Sequence, residues 1–357
     1  MKRIGLLTSG GDCQGLNSAL RGVAKGLYGF FEDLEIYGIQ DGYKGLIHGH
    51  YDLMKTEDFS GILTMGGTIL GTSRQPFKSM QVQQDGGGDK IEAMIETYGR
   101  MELDCLVVIG GNGTHKTANL LTQSGLNIVS LPKTIDNDIW GTDMTFGFQS
   151  AVDIATHVID CIHTTATSHG RVFIIELMGH KAGWLTLHAG LAGGADIILI
   201  PEIPYSPDAV VETLRCRMRG GKRFSIIAMA EGCLSQEETI LGKKELKSRR
   251  AAEGYPSIAY RLADEVLQRI DVDIRVTVPG HYQRGGPPCP FDRVLSSRFG
   301  TKAAELIKEG HFGNMVALKN DMIVPVSHGE VAGRLKLVPP QSDVVQTGRD
   351  LGIGFGD

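Results

Sequence analysis

Residues 131–138 read Leu-Pro-Lys-Thr-Ile-Asp-Asn-Asp and gather one lysine, one hydroxyl and two carboxylates. Asp136 and Asp138 are separated by a single residue, so in extended backbone they point to the same side. One carboxylate there could take a proton from a hydroxyl while the other orients it or holds a metal ion. Lys133 and Thr134 precede them with a cation and a hydroxyl. A plain turn accounts for the same residue types, because Asp and Asn hydrogen-bond their own backbone. The context decides between the two. Residues 126–130 form an apolar run that reads as a buried strand, and an α/β sheet presents its chemistry at strand ends.

Two further strand ends carry glycine. Residues 3–8 read as a strand, followed by Ser9-Gly10-Gly11-Asp12 and a helical pattern over 18–30. Residues 104–109 are a near-continuous apolar strand feeding Gly110-Gly111-Asn112-Gly113-Thr114, with a helix over 114–123. Glycine lets backbone N–H groups approach an anion, and a helix N-terminus adds partial positive charge. Two such loops at neighbouring strand ends could clamp one polyphosphate. Thr114 suits a helix cap or a phosphate contact. The spacing is not Gly-x-Gly-x-x-Gly, so neither loop is a dinucleotide fingerprint. A third small-residue loop, 66–74, ends in Arg74, whose guanidinium suits bidentate phosphate contact.

The remaining elements must position these loops. Strands are expected over 34–39, 171–177, 197–200, 224–230 and 274–278, with short ones near 316 and 323. Helices are expected over 91–98, 147–167, 185–192, 207–219, 257–268 and 291–309. Residues 85–89 read as a surface turn, 241–250 as an exposed basic segment or loop, and the stretch from 339 as a surface tail. Strands alternating with helices give an α/β fold with largely parallel sheets. The 357 residues suffice for two domains. Hydrophobic and charged shares of 41% and 22% are those of an ordinary globular chain, while 48 glycines are an excess. A net charge of −5 excludes a globally basic nucleic-acid surface. No run is apolar for long enough to cross a bilayer, and no signal peptide is read. The 6 cysteines show no paired spacing and read as the reduced thiols of a cytoplasmic protein.

Taken together, the motifs resemble those of the 6-phosphofructokinase family. They are Gly10-Gly11-Asp12, Gly71-Thr72-Ser73-Arg74, Gly110 to Thr114, Pro132 to Asp138, Gly141-Thr142-Asp143, Met178-Gly179, Glu231-Gly232 and Gly280 to Gly286, in the family's order. The resemblance implies two Rossmann-like three-layer α/β/α lobes. Residues 1–138 with a return over about 255–310 would bind the phosphoryl donor, 139–254 plus 310–335 the sugar phosphate, and 336–357 would be a tail. It implies the glycolytic phosphorylation of fructose 6-phosphate at its 1-hydroxyl, with Mg2+ and ATP, by a cytoplasmic homodimer or homotetramer with shared active sites. Asp136 would be the base, with Lys133, Thr134 and Asp138 beside it. Gly11, Arg74, Gly111, Asn112, Gly113 and Thr114 would hold the donor, and Asn112 and Asp138 the metal. Met178, Gly179, His180, Glu231, His281, Tyr282 and Arg284 would hold the sugar phosphate together with Thr134 and Asp136. Arg171 and Arg275 would reach over from a neighbouring subunit.

Two positions depart from the family's pattern. Asn112 stands where Asp is usual and brings no charge to a magnesium ion. His180 stands where Arg is usual and lacks the planar fork. Both suit, as an alternative, a regulatory paralogue that binds without turnover. Pyrophosphate-using relatives carry Asp at the position of Gly113, where it crowds an α-phosphate, so Gly113 favours ATP; Lys133 is typical of the pyrophosphate branch. NAD and lipid kinases share the Gly-Gly-x-Gly-Thr loop, but the Asn-Glu motif usual in NAD kinases is missing from this chain.

Overall fold

Strand β1 (Lys2–Ser9) is buried from Ile4 onward, the pattern of a parallel strand covered on both faces. In this computed structural model, which describes residues 1–82 and 89–357, it starts the first of two compact units, Met1–Ser150 with Arg284–Lys336. Helix α1 (Leu16–Phe30), β2 (Leu34–Ile39), α2 (Tyr43–His48), β3 (Tyr51–Met54), α3 (Lys90–Arg100), β4 (Cys105–Gly110), α4 (Asn112–Gln123) and β5 (Ile128–Pro132) follow. Every residue of β4 and β5 is buried. Asp89 caps α3, its carboxylate accepting from the Ile91 and Glu92 amides at 2.8 and 3.0 Å. The rest of the turn expected over 85–89 lies outside the described residues.

Helix α5 (Phe148–His169) leads into the second unit, Ala151–Gln283 with Leu337–Asp357. That unit holds β6 (Val172–Leu177), α6 (Trp184–Ala192), β7 (Ile197–Leu199), α7 (Pro207–Arg219), β8 (Ser225–Ala230), α8 (Lys243–Glu253), α9 (Ile258–Leu267) and β9 (Ile274–Thr277). The chain returns to the first unit as α10 (Pro290–Glu309), β10 (Asn314–Lys319), β11 (Met322–Ser327) and α11 (His328–Val331), and ends in the second with α12 (Asp343–Asp350).

The first sheet has the order β11-β10-β5-β4-β1-β2-β3, with antiparallel pairs only at its two edges. The chain runs outward from β1 to β2 on one side and resumes with β4 on the other. The crevice at such a reversal, beyond the carboxyl ends of the strands, is where open α/β sheets bind ligands. Ser9 pairs with Gly110 and Gly110 with Pro132, so β1, β4 and β5 end in one row. The second sheet, β7-β8-β6-β9, is wholly parallel, and Leu177 pairs with Ala230 at its carboxyl end.

Three expectations need correction. The return to the first unit is not 255–310: α9 buries Ile258, Leu262 and Val266 in the second core, while β10 pairs with β5. The tail is integral to the second unit. Val338, Val345 and Phe355 are buried, and the Gly354 carbonyl accepts from Ile198 N at 2.9 Å. Residues 243–253 form a helix rather than a loop. No α8 residue is buried, and the helix is tied on by Arg250 to the buried Glu238 at 2.7 Å. Among the described residues no helix is long and apolar enough to cross a membrane.

One buried polar chain crosses the first unit. His115 Nδ1 lies 3.0 Å from Ser130 Oγ, Ser130 Oγ 2.8 Å from His328 Nε2, and His328 Nδ1 3.0 Å from Thr122 Oγ1. Burial pulls His115 down to about 3 and His328 to about 4, from 6.5. The unfolded chain therefore binds protons below pH 6.5 that the folded chain refuses. Stability is expected to fall as the pH drops from 6.5 towards 4, by up to about 1.4 kcal/mol per pH unit for each histidine. Urea unfolding at several pH values checks this: His328→Gln should flatten the slope, and an unchanged slope would contradict the assignment.

Candidate active site

The common end of β1, β4 and β5 puts three loops side by side. Gly10, in the left-handed region at φ 91, turns the first loop back from β1. Residues 71–74 are laid along it: Thr72 Oγ1 donates to the Gly10 carbonyl at 2.7 Å and Gly10 N to the Ser73 carbonyl at 3.0 Å. This brings Arg74 to Gly11. Arg284 arrives from the other side, its Nη1 donating to the Asp12 carbonyl at 2.9 Å. Lys133, only 4% exposed, comes from the end of β5 and donates from Nζ to the Gly11 carbonyl.

Three cations thus face one glycine. A Cβ at residue 11 would lie 3.0 Å from Arg284 Nη1 and 3.3 Å from Arg74 Nη2, so any side chain here would press on both guanidiniums. Burial lowers the Lys133 ammonium from its ordinary value; Arg284 and Arg74 push it the same way, while Asp12 opposes them. Arg284 Nε is buried with no hydrogen-bond partner among the described residues. An orphaned donor among crowded cations is the signature of a site shaped for an anion. Beside it, burial pushes the Cys13 thiol up to about 12, which leaves it inert.

The second loop supplies backbone and a helix start. Gly111 precedes α4, whose first residues are Asn112, Gly113 and Thr114. Thr114 is buried, with its hydroxyl 3.5 Å from the Ser9 carbonyl and its own carbonyl accepting from Tyr43 Oη at 2.9 Å. A Cβ at Gly113 would meet nothing within 4 Å. Asn112 Nδ2 donates to the Arg334 carbonyl at 2.6 Å, so what its side chain can offer a cation is the amide oxygen.

The third loop carries the carboxylates. Thr134 Oγ1 accepts from Asp136 N at 3.1 Å, and the Thr134 carbonyl accepts from Thr145 Oγ1 at 2.7 Å. Asn137 adopts φ 49, and its Oδ1 accepts from Thr145 N at 3.1 Å and Lys336 Nζ at 2.8 Å. Asp136 and Asp138, on either side of this reversal, are half-buried. Among the described residues no cluster of three or more His, Cys, Asp or Glu could cage a metal. A donor set of one carboxylate and one amide oxygen suits Mg2+, which takes few protein ligands and completes its shell with phosphate and water.

The second unit groups a different set. The Gly232 amide donates to the Gly179 carbonyl at 3.3 Å, and a Cβ at residue 232 would lie 2.1 Å from the His180 carbonyl, so the loops after β6 and β8 touch. Met178 N donates to Gln283 Oε1 at 3.2 Å, which ties the loop after β6 to the turn carrying His281 and Tyr282. Met178 and Glu231 are half-buried; His180, His281 and Tyr282 are exposed. Arg171 and Arg275 are elsewhere, both paired to Asp273 at the amino end of β6 and β9. The length of β6 separates them from Met178, roughly 20 Å at 3.3 Å per residue.

Sequence reasoning grouped Arg284 with the sugar-phosphate residues; in the fold it faces Gly11 in the first unit. Lys336 and the Arg334 carbonyl were not anticipated at all, since nothing local marks a residue that bonds to a loop some 200 positions away. The cation cluster generates a direct prediction. Lys133→Met should weaken binding of inorganic tripolyphosphate, followed by calorimetry, by about tenfold or more, the loss of one charge-assisted hydrogen bond. Unaltered affinity would contradict an anion site here.

A family profile described as Phosphofructokinase matches residues 3–307. The ATP-dependent 6-phosphofructokinase of Spirochaeta thermophila is 55% identical, over 100% of this chain and 98% of its own. The ATP-dependent 6-phosphofructokinase 3 of Bacteroides thetaiotaomicron is 49% identical, over 99% of this chain and 100% of its own. The solved phosphofructokinase of Saccharomyces cerevisiae superposes with a TM-score of 0.79 at 29% identity; the match covers 93% of this chain, which spans only 45% of the yeast one. With its motifs in order, its strand ends aligned and relatives matching over almost their whole length, this chain belongs to the phosphofructokinase family.

Proposed function

We propose that the chain transfers the γ-phosphoryl group of ATP to the 1-hydroxyl of fructose 6-phosphate, giving fructose 1,6-bisphosphate and ADP, as a glycolytic enzyme of the cytoplasm. The observation that carries this reading is the convergence on one row of strand ends of three cations about Gly11 and the carboxylates that follow Thr134. Phosphoryl transfer asks a protein mainly for positioning and for stabilisation of developing charge.

In the first unit, Gly11, Arg74, Gly111, Asn112, Gly113 and Thr114 hold the nucleotide's phosphates, with the backbone N–H groups at the start of α4 supplying donors. Lys133 and Arg284 stabilise charge on the transferring phosphoryl group. Asp136 takes the proton of the 1-hydroxyl as its oxygen bonds to the γ-phosphorus and the bond to the ADP oxygen breaks. Thr134 holds the Asp136 backbone through the 3.1 Å hydrogen bond. Asp138 and the Asn112 amide oxygen would hold Mg2+, which when bound neutralises phosphate charge. In the second unit, Met178, Gly179, His180, Glu231, His281 and Tyr282 bind the sugar phosphate. Arg171 and Arg275, at the far end of their strands, serve the site of a neighbouring subunit in a homo-oligomer.

ATP is favoured over pyrophosphate by the open space at Gly113 and by the names of the full-length relatives. Purified protein with fructose 6-phosphate and Mg2+ is expected to form fructose 1,6-bisphosphate from ATP. Product from pyrophosphate alone would reverse the donor assignment, and binding without turnover would indicate a regulatory paralogue. Asp136→Asn should lower kcat by about 10²–10⁴-fold, the range for a general base, with an unchanged far-ultraviolet spectrum.

A further inference from the structure

Residues 334–336 run past the second and third loops of the site and bond to each. The Arg334 carbonyl accepts from Asn112 Nδ2 at 2.6 Å. Leu335 forms an antiparallel bridge with Ile139, and Lys336 N donates to the Asp138 carbonyl at 2.9 Å. The Lys336 ammonium then reaches into the turn itself and donates to Asn137 Oδ1 at 2.8 Å, the Thr142 carbonyl at 3.0 Å and the Asp143 carbonyl at 2.7 Å. The Arg334 guanidinium lies over the Trp140 ring, 5.9 Å from its centroid.

Each contact answers a local need. Asn137 sits at φ 49, a left-handed conformation that Asn tolerates but does not hold by itself. Its side chain is gripped from two sides, by Thr145 N and by Lys336 Nζ. Asp136 and Asp138 flank that residue, so the direction of each carboxylate depends on it. The three protons of the ammonium match three acceptors. Asn112 matters as a donor. An aspartate there, ionised, has only acceptors and would turn a carboxylate oxygen against the Arg334 carbonyl. The residue that departs from the family pattern is thus the one this segment requires.

We propose that residues 334–336 act as a positioning strap for phosphoryl transfer: Lys336 sets the turn that aims Asp136 and Asp138, and the Asn112 amide couples the strap to the donor loop. The effect on turnover rests on Asp136 being the base, as proposed above; the effect on loop order does not. Lys336 touches no reacting atom and is a positioning residue.

Two measurements on the full-length protein keep these apart. Hydrogen exchange of the parent, Lys336→Met and Lys336→Arg reads the strap without any reaction. In Lys336→Met the amides of 134–145 should exchange about tenfold faster or more, with the strands of the second unit unchanged. Lys336→Arg, which keeps a cation with several donors, should recover part of that protection. Steady-state kinetics then reads the consequence. Lys336→Met should lower kcat by about thirtyfold or more with the KM for ATP within about threefold of the parent, since misdirected groups cost rate before binding. Asn112→Asp, which restores the family's residue, should lower kcat rather than raise it and should speed exchange over 334–336.

Unchanged exchange over 134–145 in Lys336→Met overturns the proposal, and so does a kcat that falls only in step with the folded fraction. A gain of activity in Asn112→Asp overturns the coupling to the donor loop. A parent that binds but does not turn over would sink the functional reading and leave the exchange comparison to decide the strap.

Discussion

The arrangement depends on one constraint: the parallel register that ends β1, β4 and β5 in a single row. Ser9, Gly110 and Pro132 are neighbours across that row, and the three loops of the site emerge from the next residues. A slip of one residue in β5 would turn every side chain of that strand to the opposite face. Lys133 would then leave Gly11, and the turn at Asn137 would start out of phase with α4. Apolar packing alone is a weak guard against such a slip in a strand buried on both faces. Ser130 is a stronger one. It is the polar residue inside β5, and its hydroxyl finds partners only where His115 of α4 and His328 of α11 stand on either side. Any other register would bury that hydroxyl unpaired, at the cost of an unmet hydrogen bond.

The same row concentrates positive charge. Lys133, Arg74 and Arg284 converge on a glycine that has no side chain to separate them, and the carbonyls of Gly11 and Asp12 answer only part of their hydrogen-bonding capacity. Burial already lowers Lys133. Such a cluster is tolerable because the fold is held elsewhere, by the apolar core under β1, β4 and β5, and a polyanion relieves its repulsion. The local instability and the proposed affinity for phosphate are two aspects of one arrangement.

Much of this was legible in the chain. The apolar runs 104–109 and 126–130, read as buried strands, fall on β4 and β5, which end one and two residues later, and glycine immediately after a strand and before a helix marks a phosphate loop. Residues 207–219 carry Pro at the start and arginines at the end, and they form α7 with those bounds. Other features had no local sign. Helix α8 has no apolar face to betray it, because long-range pairs such as Arg250 with Glu238 hold it in place. Val345 and Phe355 stand in a polar, Gly-rich stretch, and only tertiary packing shows them as core. The unit boundary moved for a related reason. The pattern of α9 identifies a helix with one apolar face, and does not say which core receives it.

Asn112 shows where reading by motif gives out. Against the family pattern it is a lost charge at a proposed metal position, and that deficit argues for weakened catalysis. Against the fold it is a gained donor. The amide N–H reaches a carbonyl that a carboxylate would repel, and that carbonyl belongs to a segment whose next two residues brace the turn between Asp136 and Asp138. Whether a substitution at a motif position subtracts or compensates is decided by its partner, and here the partner lies in Arg334, far along the chain. Were Mg2+ held by Asp138 and Asn112 as proposed, it would lose one formal charge from its protein shell, yet Mg2+ draws most of its ligands from phosphate and water, so that loss would be small where a polyphosphate is bound. A misdirected Asp136 carboxylate, the proposed base, would have no such substitute. In a reaction governed by positioning, an amide that fixes the loop outweighs a carboxylate that adds charge.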